Sequence, residues 1–341
     1  YQARFTGQTT TGATYLGYQA GYYKNGTNDG IGSTFLGTVA GKNTTTGGDN
    51  TFVGAQAGYT NTTGTSNVAL GAAALNSNTT ASNNTAVGYT AGYTNTTGRV
   101  DSLGFQAGYS NTTGAIVAIG RNTLYSNTTG VSNAAIGGSY YVNSPLFANT
   151  SGSFNIAMGE GALASNTTAS NNTAVGYQAA YSNTTGANIN AFGYKALNNN
   201  TTGGQNDAFS YSALASNTTG SFNSAFGFTA LTSNSTGSNN TGIGNYALYS
   251  NTTASNNTAV GYQAGYSGST TGGNAYVGYQ AGYNNTGGNI TVMGYKAGFS
   301  HTTGSTIDAF GYLALQANTT GSNNVGIGFN ALYSNTTASN N

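Results

Sequence analysis

The chain has no cysteine and no tryptophan, one proline (Pro145) and one histidine (His301) in 341 residues. The lack of cysteine excludes a disulfide scaffold and thiolate metal sites, while leaving the compartment open. Charge is equally scarce: seven Lys/Arg stand against six Asp/Glu, 4% of the residues and a net charge of +1. An ordinary globular chain carries roughly 25%. With no basic cluster to neutralise phosphates, neither nucleic acid nor an anionic membrane is an expected partner. The apolar runs are far too short to insert in a bilayer as a helix. No apolar stripe of helical period persists for a useful length.

Catalytic groups are missing as constellations. Asp101, Asp207 and Asp308 share one place in the repeat described below, but lie about six repeats apart, and Asp29, Asp49 and Glu160 are isolated. Paired carboxylates for acid–base chemistry are therefore not expected. Calcium binding would need far more carboxylates, and the glycine-rich turns lack the lysine and following helix of a phosphate loop. The expectation is a chain that is not an enzyme and carries no cofactor or metal.

The sequence does contain a period. A segment of the form N-T-A-V-G-Y-Q-A-G-Y-S-N-T-T-G recurs along its whole length, with sixteen of eighteen steps being 16 or 17 residues. The glycine closing T-A-V-G, from Gly17 and Gly37 to Gly311 and Gly328, marks the anchor of each rung, with Ser210 taking the one exceptional slot. The residue before the anchor is apolar in all nineteen rungs, which predicts a buried strand position. The third residue after it is alanine in seventeen, which predicts a slot with little room. The string N-T-T-A-S-N-N returns every fifth rung. The chain thus reads as one array of four super-repeats, approximately 1–84, 85–172, 173–257 and 258–341. No terminal cap is visible, so the expectation is a window on a longer repetitive protein.

Abundant Gly, Ser, Asn and Thr with low hydrophobicity suit disorder, but disorder needs no regular aromatic spacing. T-A-V-G-Y and A-[GL]-Y-S-N both read as short strands bounded by turn residues. Two strands and two turns in 17 residues make one coil of an all-β parallel β-solenoid (β-roll) of about twenty rungs. At ~4.8 Å per rung the stack would span on the order of 95 Å. In-register stacking turns each rung position into a column. One aromatic column follows the anchor directly (Tyr89, Phe105, Tyr177, Tyr194) and a second lies five residues after it (Tyr59, Tyr93, Tyr109, Tyr125). Seven residues after the anchor comes asparagine, an amide ladder in prospect, with His301 as a hydrogen-bonding substitute.

The cores Asn84-Thr85-Ala86-Val87-Gly88 and Asn155-Ile156-Ala157-Met158-Gly159 resemble the N-S-V-A-I-G core of the head repeats of trimeric autotransporter adhesins. The longer repeat resembles those of tail-fibre and surface-fibre proteins. The resemblance implies a left-handed β-roll and a trimer of chains, although the adhesin repeat is shorter. The stalk, membrane anchor and chaperone domain of those families are not seen.

Asn61, Asn95, Asn183 and Asn251 open N-x-[ST] sequons and are candidate glycosylation sites, unless turn geometry and the amide ladder account for them. Two steps are long. Residues 23–29 carry the excess of the first and residues 139–147 that of the second, where Tyr140, Tyr141, Pro145 and Phe147 form a candidate contact loop. The functional expectation is an extracellular or cell- or virion-surface fibre shaft, self-associating as a homo-oligomer, with a trimer as the number the resemblance implies. The alternative is an adhesin or ligand-binding module that uses its Tyr, Asn and Thr columns to contact a glycan, a host surface or ice.

Overall fold

The computed structural model describes residues 12–23, 32–139, 143–268 and 270–341. Its contacts fall into two units, 1–171 and 172–341. The first carries nine strands of three or four residues, from Thr14–Leu16 to Ile156–Met158. The second carries ten, from Thr173–Val175 to Asn324–Ile327, and no helix occurs among the described residues. Within each unit every strand pairs in parallel with the next, equivalent residue against equivalent residue. Phe52, Ala69 and Ala86 follow one another in the first unit, and Ala174, Ala191, Ala208 and Ala225 in the second. Each unit is a parallel β-solenoid with one coil per repeat, as the period predicts.

The coil holds one strand, not two. After the anchor the chain turns through residues with positive φ at the second and fourth places, such as Gln56 and Gly58, or Ala73 and Leu75. Extended backbone is impossible there. The curled segment still bonds to its neighbours: Gly58 N–H donates to Ala74 O at 2.9 Å, Thr60 N–H to Asn76 O at 2.9 Å and Thr62 N–H to Thr79 O at 2.8 Å. Backbone groups that would be orphaned in a loop thus find partners one coil away.

The anchor itself needs glycine. Its φ lies between 113° and 142° in every rung, and a Cβ built on Gly54 would sit 2.5 Å from the carbonyl oxygen of Gly71 in the next coil. Ser210 holds the same backbone at φ 134° with a side chain attached, a conformation that costs about 1–3 kcal/mol.

The strand faces the opposite way from the sequence expectation. The apolar residue before the anchor points outward, with Leu16 59% and Leu103 50% exposed. The residue before that, usually alanine, is buried. The alanine three residues after the anchor is buried as expected, for instance Ala57, Ala91 and Ala264.

The interior is thin, and most coils bury one large side chain, the coil with Tyr276 and Ile290 and the next with Val292 and Ile307 burying two. Three slots share the interior: the mid-strand residue, the fourth residue after the anchor, and the fourth residue before the next anchor. Where the mid-strand residue is Phe35 or Phe52, the second slot is Gly41 or Gly58, whose added Cβ would lie within 2.6 Å of the ring in question. Where the mid-strand residue is Ala69, Ala208 or Gly242, the second slot is Leu75, Leu214 or Leu248, fully buried. These leucines sit at φ near 50°. Left-handed backbone costs about 1 kcal/mol at a non-glycine residue, whereas burying a leucine gains about 1.5–3 kcal/mol. Burial wins. At Ala86 and Gly92 or Ala174 and Ala180, where both slots are small, the third slot is apolar, as Val100 or Ile189, while beside Ala259 and Gly265 the Tyr276 ring of the next coil takes the space.

Two outcomes follow for unfolding midpoints. Ser210→Gly should raise stability by about 1 kcal/mol or more by relieving the strained backbone, and an unchanged midpoint would show that the site is unstrained. Phe52→Ala should cost about 3–5 kcal/mol, and adding Gly58→Leu should recover much of it, although Gly58→Leu alone should be destabilising; additive effects would refute the shared volume.

Candidate functional site

The predicted asparagine ladder is present, and its asparagines from Asn61 to Asn318 are buried. Asn78 Nδ2 donates to Asn61 Oδ1 of the preceding coil at 2.8 Å and to Ala81 O of its own coil at 3.0 Å, while Asn95 Nδ2 donates to Asn78 Oδ1 at 3.1 Å. In the second unit Asn200, Asn217, Asn234 and Asn251 continue the same scheme at 2.7–3.0 Å. In Asn78, Asn200, Asn217 and Asn234 both amide hydrogens and the oxygen are used, so each ties its own corner and the adjacent coils together.

This geometry bears on the sequons. Asn61, Asn95, Asn183 and Asn251 are buried, and each Nδ2 that would carry a glycan donates to the carbonyl three residues on, at 2.9–3.1 Å. A glycan on that nitrogen is incompatible with the ladder as built. Turn geometry and amide pairing account for the N-T-T strings.

A second asparagine column escaped the sequence reading. It lies four residues before the anchor, at the first letter of N-T-A-V-G. Asn223 receives its position from Asn206, whose Oδ1 accepts both Asn223 N–H at 2.9 Å and Asn223 Nδ2 at 3.2 Å. The two columns meet at one inward carbonyl, since Gly64 O accepts from Asn50 Nδ2 at 2.8 Å and from Asn61 Nδ2 at 3.1 Å. A third set of bonds runs through threonine: Thr62 Oγ1 donates to Thr79 O, and Thr201 Oγ1 to Thr218 O. The repeated N at the head of each core was the available signal.

The first ladder is interrupted in the second unit. Gly268 stands where asparagine is expected, and Asn251 Oδ1 is left buried without a partner. Asn285 Nδ2, on the far side of the gap, donates instead to Tyr276 Oη at 2.8 Å. Burial pushes the Tyr276 hydroxyl far above the usual phenol range, and its bond to Asn285 only partly offsets this. His301 fills the ladder slot as predicted. Asn318 Nδ2 lies 3.2 Å from His301 Nδ1, and His301 Nε2 lies 2.8 Å from Gly304 O. An amide nitrogen can only donate, so Nδ1 accepts and Nε2 carries the proton. That uses the only N–H of a neutral ring, and Asn285 Oδ1 is left without a donor. Burial holds the His301 pKa below its usual value, opposed by the bond to Gly304.

Outside the coil the columns are apolar and aromatic. Tyr177, Tyr194, Tyr211 and Phe228 stack at 5.0–5.3 Å within 16° of parallel. Tyr262, Tyr279, Tyr295, Tyr312 and Phe329 do so at 5.1–5.3 Å. Beside the first of these runs Phe192, Phe209 and Phe226 form a parallel stack at 4.7–4.9 Å. The second predicted column, with Tyr93, Tyr109 and Tyr125, is half-buried. Desolvation first, then the neighbouring phenols, raises the pKa of the central residues Tyr109 and Tyr266.

Of the candidate contact loop, Tyr140 and Tyr141 lie outside the described residues. Pro145 and Phe147 are not loop residues. Pro145 is buried in the alanine slot, its carbonyl accepting from Leu124 N–H, and Phe147 stacks on Tyr125 at 5.3 Å to prolong the aromatic column. The excess of that step therefore lies before Ser144. There Ser139 Oγ donates to Glu160 Oε1 at 3.1 Å and Ser144 Oγ to Arg121 O at 2.8 Å. The Arg121 guanidinium lies 4.2 Å from the Phe105 ring and replaces the next aromatic of the column. Of the first long step, residues 24–31 are outside the description.

Asp207 accepts from Asn190 Nδ2 at 2.8 Å, an outward polar pair between neighbouring strands. Among the described residues no three His, Cys, Asp or Glu gather as a metal site, and no helix is long and apolar enough to cross a membrane. A groove of about 300 Å³ opens where two successive corners are one residue short, and Arg99, Asp101, Ile116 and Val117 are among the residues that line it. No known protein family matches the chain, and no characterised protein matches it significantly in sequence. The likeness to adhesin and tail-fibre repeats therefore rests on the quoted motifs.

His301→Asn should complete the ladder and raise stability by roughly 1 kcal/mol. The neutral buried histidine contributes stability that is present above its usual pKa of 6.5 and declines as pH falls through the lower folded value. In the unfolding midpoint measured against pH, the wild-type should lose stability below pH 6.5 more steeply than His301→Asn; parallel curves would contradict the assignment.

Proposed function

We propose that the chain is the shaft of an extracellular fibre or appendage, giving stiffness and multivalent display, and that it self-associates side by side into a homo-oligomer, with a trimer as the expected number. The observation that carries this reading is an outward apolar column along each unit, joined through most of the second unit by an adjoining aromatic column. One is aliphatic or phenylalanine (Leu103, Ile243, Met293), the other tyrosine or phenylalanine (Tyr211, Tyr279), each 40–50% exposed. Paired apolar columns of this extent mark an interaction surface. Their spacing repeats at the rung height of ~4.8 Å, so a second copy of the same solenoid can repeat one contact at every rung. The three internal ladders support the stiffness, because bending a unit would stretch amide, hydroxyl and backbone bonds together.

The rival reading, direct contact with a glycan, host surface or ice, is less well supported by the geometry. The asparagine column is buried and cannot touch a target. Stacked at about 5 Å, the tyrosine rings cover each other's faces, which are the surfaces a sugar would stack on.

Light scattering tests the proposal. The chain should be oligomeric at micromolar concentration, and charges placed in the stripe by Phe226→Asp with Ile243→Asp should dissociate it without unfolding, since both side chains point outward. A monodisperse wild-type monomer would overturn it.

A further inference from the structure

We infer that the stacked tyrosines are sites of oxidative cross-linking, in which dityrosine bonds staple successive coils of one chain. The inference stands apart from the self-association reading and rests on juxtaposition alone. Tyrosines 16 or 17 residues apart in sequence lie ring against ring: Tyr93–Tyr109–Tyr125 at 5.1 and 5.0 Å, and Tyr177–Tyr194–Tyr211 at 5.3 and 5.0 Å. Tyr249–Tyr266–Tyr283 stack at 5.1 and 4.9 Å, and Tyr262–Tyr279–Tyr295–Tyr312 at 5.3, 5.2 and 5.1 Å. All four members of the last run are more than 40% exposed, open to an oxidant from solvent and free to tilt.

The chemistry requires a one-electron oxidant of the peroxidase class, with hydrogen peroxide as the electron acceptor. Each of two neighbouring phenols gives up one electron and its hydroxyl proton. The two phenoxyl radicals join through ring carbons ortho to oxygen, forming one C–C bond. The hydrogen on each joined carbon then moves to its oxygen and restores the phenol. Two tyrosines and one peroxide become one dityrosine and two waters. A radical formed on any central ring has its partner already beside it, so the coupling is intramolecular and outcompetes encounters between dilute chains. The product would hold coil to coil covalently in a chain that has no cysteine to do so.

The columns supply their own control. Phe147, Phe228, Phe299 and Phe329 occupy the same stacks, so phenylalanine is compatible with the fold. Changing Tyr109, Tyr194, Tyr266, Tyr279 and Tyr295 together to phenylalanine removes every stacked tyrosine pair named above.

The full-length chain, diluted and treated with a peroxidase and hydrogen peroxide, should gain dityrosine fluorescence in the monomer and lose two hydrogen masses per bond. Peptide mapping should link tyrosines that neighbour one another in a column, such as Tyr279 with Tyr295. The five-site variant should lose roughly tenfold of the monomer-borne signal. Links found only between chains, or between tyrosines that are not column neighbours, would overturn the inference from the wild-type chain alone, as would an undiminished signal in the folded variant.

Discussion

Each coil is completed by the coil beside it. Only three or four residues per repeat are extended, and the rest of the backbone curls through positive-φ positions where no sheet can form. The curled part nonetheless finds its hydrogen-bond partners one rung away, because neighbouring coils curl alike. That requirement of identity explains why the sequence is periodic. A residue that altered the local path would orphan donors and acceptors in two coils, and an unsatisfied buried polar group costs about 1–3 kcal/mol. The anchor glycine is the strictest expression of this, since its missing Cβ leaves room for the next coil's carbonyl.

Within that frame the interior is governed by volume and by polar satisfaction together. Asparagine serves at two places because its amide offers donors and an acceptor in line with the stacking direction, and one inward carbonyl joins both columns. Where the interior needs more apolar volume, the second column gives way to Val100, Ile116, Ile189, Ile290 or Ile307. At Val100, Ile189 and Ile290 the backbone N–H still reaches the preceding asparagine, as Val100 does with Asn84 Oδ1 at 2.7 Å, whereas Ile116 N–H donates to Arg99 O. The first ladder is less forgiving: Gly268 and His301 leave Asn251 and Asn285 with unsatisfied oxygens, and Thr44 in the same slot keeps a buried hydroxyl without a partner.

The outside carries the large apolar and aromatic residues because the inside cannot hold them. A coil with room for one or two large side chains pushes its remaining valines, leucines, phenylalanines and tyrosines to the surface, where stacking from rung to rung covers their faces but not their edges. The stripe that supports self-association and the tyrosine runs suited to coupling are thus both consequences of a thin interior. Arg121, Gly138 and Glu160 interrupt the aromatic column at the long step, the one place in the first unit where its outward chemistry changes from apolar to charged.

The period, the parallel one-coil-per-repeat stacking, the buried asparagine ladder and the tightness of the alanine slot were legible in the sequence, because a ladder needs only equivalent residues at equivalent spacing. The alignment also found the stacked aromatic columns. What it could not fix was facing. A three-residue strand such as Thr-Ala-Val presents one residue to one side and two to the other, and hydropathy favours burying the valine. Only the cross-section of the folded coil decides that alanine goes in and valine out. The same limit hid the roles of Pro145 and Phe147. Counting residues places them in an insertion, but hydrogen bonding and ring stacking with the neighbouring coil, which depend on three-dimensional position, return both to the regular rung.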